Sequence, residues 1–177
     1  MNQRILLGTL ALLTAAACLG QTPEVAKFYK LDFMLKEMEN GKVLNARVYS
    51  SLVSTKAHNS SSIRTGSKVV VVTSGATTAV PAQFNYIDVG VSVDCNNVHE
   101  VNGGLALEVS ADVSTIPQDT TEAHPVGGPT IRQNRWRSDS VVVPLHTPTV
   151  IFSSDDLTSR RVMQLEITAN PVKSPAQ

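Results

Sequence analysis

From Tyr29 onward, apolar and polar residues alternate along the chain. Tyr29, Leu31, Phe33 and Leu35 fall on one side, and Lys30, Asp32, Met34 and Lys36 on the other. That is the pattern of a strand with one buried face. Asn40-Gly41 follows within ENGK, a pair that favours a tight hairpin because both central residues accept positive φ. Period two resumes at Leu44, Ala46, Val48 and Leu52, so Phe28 to about Thr55 reads as one hairpin. Phe28, Leu31 and Leu35 also stand at helical spacing; the Asn-Gly turn, which needs a strand before it, decides for the strand.

The stretch 55–68 is polar and reads as turns, and KVVVVTSG (68–75) as a short apolar strand. After a loop at ATTAVPAQ, Phe84 to Cys95 forms a strand with Ile87, Val89, Val91, Val93 and Cys95 on its core face. NNVHEVNGG is expected to turn the chain. Leu105, Leu107, Val109, Ala111 and Val113 then alternate against Glu108, Ser110 and Asp112, which makes a second long hairpin. Residues 115–129 are a long loop with three prolines, a length usually associated with function or mobility. Strands follow at 130–145 and 148–156, and Met163, Leu165, Ile167 and Ala169 mark a closing one. The expectation is an all-β domain of seven to eight strands, built from antiparallel hairpins into a single sandwich-like unit.

Composition narrows the class. Charged residues are only 17%, below the roughly 25% usual for soluble domains. Fifteen basic residues balance fifteen acidic ones, so no global field draws nucleic acid or anionic membrane. The first twenty residues read as a secretory signal: Arg4, a thirteen-residue uncharged run from Ile5 to Ala17, then small residues. That run is shorter than the ~20 apolar residues of a spanning helix. Cleavage after Gly20 is one reading; lipidation of Cys18, preceded by AAA, is the other. Residues 21–170 would be the domain and 171–177 a disordered tail. No transmembrane helix remains after cleavage, and Cys95 alone closes no intrachain disulfide. The place expected is the periplasm or outer membrane, or secretion.

The sequence carries few signs of catalytic or metal chemistry. His58, His99, His124 and His146 are scattered, with no metal-ligand spacing. There is no nucleophile elbow and no phosphate-binding glycine loop. Asp155-Asp156 reads as a turn rather than a cation site. Arg132, Arg135 and Arg137 surround the only tryptophan, Trp136. Such a cluster can hold single-stranded nucleic acid, but one cluster on a neutral exported chain points instead to a packed interface or to arginines paired with Asp88 or Glu108. No cofactor, metal or nucleic-acid partner is expected.

One interruption remains. Asp88 and Gly90 break the apolar strand NYIDVGVSVDC, although both residues weaken strands. The alternation places them on the face opposite Ile87, Val89 and Val91. There Asp88 meets solvent or an arginine, and Gly90 lets the strand bend or another backbone approach.

The order GKVLNARVYSSLVST, SSSIRTGSKVVVV, NYIDVGVSVDC, GGLALEVSADVSTI, PTIRQNRWRSDSVVVP and TPTVIF, over about residues 40 to 155, resembles the β-domain of bacterial secretins, the outer-membrane channels of secretion systems and type IV pili. The matching positions are Gly66, Tyr86, Asp88, Val89, Gly90, Val91, Val113, Ser114, Pro129, Ile131 and Arg135. Val71 stands where the family has proline, and SSDD (153–156) replaces its Gly-Gly turn. The resemblance is to a stripped-down secretin core without periplasmic ring-forming modules. It implies a non-enzymatic exported protein acting by self-assembly or by docking with envelope machinery, and outer-membrane association. Its interaction residues would be Gly66, Tyr86, Asp88, Gly90, Arg132, Arg135 and Trp136. The alternative is a soluble β-sandwich that binds a small ligand or polysaccharide in an aromatic-lined pocket. An enzyme would need Asp88, Arg132, Arg135 and His146 to converge.

Overall fold

The alternating residues are distributed over eight strands: β1 (Phe28–Glu39), β2 (Lys42–Ser54), β3 (Ser61–Ser74), β4 (Gln83–Val101), β5 (Gly104–Thr115), β6 (Arg132–Pro144), β7 (Thr149–Asp155) and β8 (Arg161–Val172). The computed structural model describes residues 26–56, 59–74, 83–116, 131–155 and 161–173. The expected signal segment, residues 117–129 of the long loop, His58, His124 and Asp156 lie outside them. All described regular structure is strand, in two four-stranded antiparallel sheets ordered β2-β1-β8-β7 and β3-β4-β5-β6.

The first sheet grows from the Asn40-Gly41 turn, where both residues take positive φ, 50° and 76°. β8 then pairs with β1 in unbroken register, from Phe28 opposite Val172 to Glu39 opposite Arg161. It therefore runs through Pro171 and Val172, two residues past the expected end of the domain.

The sheets bury their facing sides together. Tyr29, Leu31 and Phe33 of β1, Val53 of β2 and Leu165, Ile167 and Ala169 of β8 meet Val91, Val93, Cys95 and Val98 of β4, alternate residues of β5 and Val143 of β6. Each fully buried Leu, Ile or Phe contributes about 1.5–3 kcal/mol. Cys95 is a small core residue, and its burial pushes the thiol up to about 12. Within the second sheet, Val98 of β4 donates its backbone N–H to Asn59 O at 3.0 Å, just before β3. Between the sheets, His146 N, in the connection from β6 to β7, donates to Ala169 O of β8 at 2.9 Å.

Three expectations change. The polar stretch 61–67 is strand rather than turn, because β4 supplies a ladder from Ser61 opposite Cys95 onward. NNVHEVNGG does not turn the chain at its start: β4 continues to Val101, and Asn97 absorbs a bulge with φ 53°, which aims Val98 into the core. The apolar series Leu44, Val48 and Leu52 is not a buried face. All three are exposed, because β2 is an edge strand and its core side is instead the Val53 face.

Candidate functional site

β4 outruns its neighbour on one side. β3 accompanies it from Cys95 to Gln83, but β5 pairs only from Val91 onward. Gly90 is therefore where β4 leaves β5 and continues with β3 as a two-stranded ribbon. Opposite it stands Gly66. Gly90 has φ 157°, outside the usual range of L side chains. A Cβ there would lie 2.2 Å from Thr65 O, and one on Gly66 2.4 Å from Val89 O. The two backbones approach closely because neither residue has a side chain. Ser114 fills the place of the missing ladder, accepting the Gly90 N–H on Oγ at 2.9 Å.

Beyond this glycine pair the ribbon is apolar on both faces. Val70, Phe84 and Tyr86 are exposed on one side, Tyr86 at 63%. Val69, Ile87 and Val89 are half-buried on the other. Asp88 is solvent-facing, and its partner is Lys68 at 3.0 Å rather than an arginine, because Lys68 is its direct cross-strand neighbour. A concavity of about 610 Å³ lies beside the glycine pair, lined by Arg64, Lys68, Asp88, Asp112, Ser114 and Gln133 among others. Its ionic groups are already paired: Arg64 with Asp94 at 2.7 Å and Arg135 with Asp112 at 2.8 Å. Among the described residues no aromatic side chain lines it.

The arginine–tryptophan cluster separates by face. Arg135 bonds Asp112 and Arg137 bonds Asp139 at 2.8 Å, so their ion pairs are with these acids rather than with Asp88 or Glu108. Both pairs form on or next to β6 itself, where cross-strand and i, i+2 neighbours are nearest. Trp136 turns inward to the flank and stacks on Phe152 of β7, with ring centroids 6.0 Å apart at 15°. Arg132 begins β6 and His146 lies just past its end, while Asp88 sits on the ribbon, so the four candidate catalytic residues do not converge. Among the described residues no group of His, Cys, Asp or Glu is arranged to hold a metal, and no helix is long and apolar enough to cross a membrane.

The flanks themselves are the other feature. Neighbours within each sheet are all antiparallel, so β2 and β7 run in opposite directions, as do β3 and β6. Each sheet thus ends in strands with no further ladder among the described residues. The outward faces carry polar networks. Ser50 donates to Asp32 at 2.5 Å and Lys36 pairs with Glu166 at 2.5 Å. Burial works against the Asp32 carboxylate, but Ser50, Lys30 and Asn170 together hold it below its ordinary range. Between the sheets, Tyr29 donates to Glu100, which also accepts Lys27 at 2.7 Å. Burial, then Glu100, pushes the Tyr29 phenol up to about 12, while Lys27 and Tyr29 hold Glu100 low.

The sequence singles out Gly66, Asp88 and Gly90 but does not reveal Ser114's bond to Gly90 or the Phe152 partner of Trp136. The weak signal for the first was its place in EVSADVS, opposite the glycine strand.

No family model matches the chain, and no curated protein is significantly similar to it. Solved structures do match. The secretin-domain β-barrel of InvG from the Salmonella SPI-1 injectisome superposes with a TM-score of 0.52 at 8% identity, covering 97% of this chain and 69% of that one. InvG in the injectisome basal body with PrgH and PrgK gives 0.50 at 9%, covering 97% and 50%. The T2SS secretin XcpQ from Pseudomonas aeruginosa gives 0.50 at 11%, covering 94% and 64%. At these identities the likeness is one of fold, and it extends over nearly the whole chain.

Proposed function

We infer that the described residues, which share the fold of solved secretin domains, form a divergent secretin-like β-domain. We propose that the protein is exported and acts without catalysis, by joining further copies of itself or other envelope proteins through its sheet edges. Residues 1–20 serve as the export signal, and the β-domain that follows ends with β8 at Val172. Its place is the periplasm or outer membrane.

The observation that carries this reading is the pair of flanks. Each four-stranded sheet ends in two edge strands of opposite direction. A second copy placed alongside extends both sheets as antiparallel ladders at once, and no strand has to be reversed. Open edges of this length are a liability unless they are paired or covered. Phe84 and Tyr86 on the ribbon, and Leu44, Val48 and Leu52 on β2, are the exposed apolar surface that such packing covers. The occurrence of InvG together with PrgH and PrgK supports envelope partners for a domain of this fold.

Membrane fractionation with N-terminal sequencing tests export. The reading expects a processed chain in the periplasmic or outer-membrane fraction, beginning at Gln21 or at a modified Cys18. An unprocessed chain in the cytosol contradicts it.

A further inference from the structure

Four residues form one row straight across the first sheet. Phe152 pairs with Leu165, Leu165 with Leu35, and Leu35 with Arg47. Residues directly opposite in a sheet point to the same side. Leu165 is fully buried between the sheets, so the row faces the inter-sheet space from end to end. At its β7 end Phe152 stacks on Trp136, and both rings are half-buried at the flank. At its β2 end stands Arg47, exposed and without a hydrogen bond or ion pair among the described residues.

The other arginines of the strands behave differently: Arg132, at the start of β6, is not without a partner, and four more are paired with acids. Arg64, Arg135, Arg137 and Arg161 each bond a carboxylate within the chain. Arg47 alone among these faces the inter-sheet side of an edge strand with its charge uncompensated. A lone arginine on one flank and an aromatic pair on the opposite flank, in the same row and on the same face, are complementary. A guanidinium over Trp is the most favourable form of cation–aromatic contact.

We propose that Arg47 of one copy lies on the Trp136–Phe152 pair of the next, and that this contact sets the register in which copies join. The proposal rests on the self-assembly reading above and adds the partner surface and its specificity. β2 and β7 run in opposite directions, so β2 of one copy continues the ladder of its neighbour's β7. A level join brings Arg47 beside the neighbour's Phe152. In the same join Val48 meets Val150, since Val150, Glu166, Met34 and Val48 form the adjacent row, and both valines are exposed. The alternative pairing of β2 with β2 is disfavoured by charge. It sets side by side two strands that each carry Lys42 and Arg47 and no acidic residue. The second sheet offers no comparable selector: Arg64 and Lys68 on β3, and Arg135 and Arg137 on β6, are already paired within the chain.

The test uses the full chain and its single tryptophan. Self-association is followed by sedimentation, together with Trp136 emission, for the wild type, Arg47→Ala and Arg47→Lys, with far-UV circular dichroism to confirm folding. The expected result is that association of the wild type shifts Trp136 emission. Arg47→Ala weakens association about tenfold, within the range of a desolvated cation–aromatic contact. Arg47→Lys retains part of the affinity. If Arg47→Ala associates like the wild type with the same emission change, the contact is overturned while self-assembly stands. If the wild type stays monomeric at every concentration, both readings fall.

Discussion

Gly66 and Gly90 stand opposite each other at the point where β4 parts from β5. Neither position has room for a methyl group. The close approach of β3 and β4 at the start of the ribbon follows from that pair. Replacing Gly90 by alanine forces both an unfavourable φ and a clash with the Thr65 carbonyl. The expected cost is more than ~1 kcal/mol of stability, read from denaturant unfolding. Ribbon amides from Lys68 to Val70 should exchange faster in the variant.

Ser114 accepts the Gly90 N–H that no β5 backbone group reaches. In Ser114→Ala that amide loses its acceptor at a largely buried position, at a cost of about 1–3 kcal/mol. Hydrogen exchange at Gly90 should accelerate more than at Val93, whose ladder bonds to β3 and β5 remain.

Alkaline stability follows from two buried acids. Cys95 and Tyr29 both titrate near 12 when folded, against ordinary values of 9.0 and 10.0. The folded state keeps their protons where the unfolded chain has released them, so stability is full below pH 9 and falls as pH rises towards 12. Glu100 and Asp32 act in the opposite sense: both are held low, so their contribution is present above ordinary carboxylate values and is lost as pH falls through the folded ones. Thermal melts across pH should show both limbs. In Tyr29→Phe the alkaline fall above pH 10 should be shallower.

Cys95 has no exposed surface. A thiol reagent at neutral pH should leave it unmodified in the native domain and label it only as the sandwich opens. The labelling rate should rise with denaturant in step with loss of the β-sheet signal. Rapid labelling of native protein would show that the two sheets do not stay closed over β4.

Much of this fold was legible because single strands announce themselves locally. Asn40-Gly41 fixed the first hairpin, and the series Tyr29 to Leu35, Leu105 to Val113 and Met163 to Ala169 named their buried faces correctly. What failed depends on neighbours. Leu44, Val48 and Leu52 alternate as well as any core strand, but β2 is an edge and its other face packs. Residues 61–67 look like a loop until β4 provides a ladder. Asn97 hides a bulge that carries β4 to Val101, which no period of two reveals. The glycine pair was visible as an interruption, yet only the register shows that Gly66 and Gly90 meet. Trp136 was visible as a candidate, but its partner Phe152 lies in another sheet, beyond the reach of local pattern.

The central claim is that the domain works by joining copies or partners along its open flanks. Light scattering coupled to size-exclusion chromatography, on the full chain extracted from the envelope in mild detergent, tests it most directly. The account predicts discrete species of several copies, or of the chain with an envelope protein. A strictly monomeric chain that carries no envelope partner would contradict it.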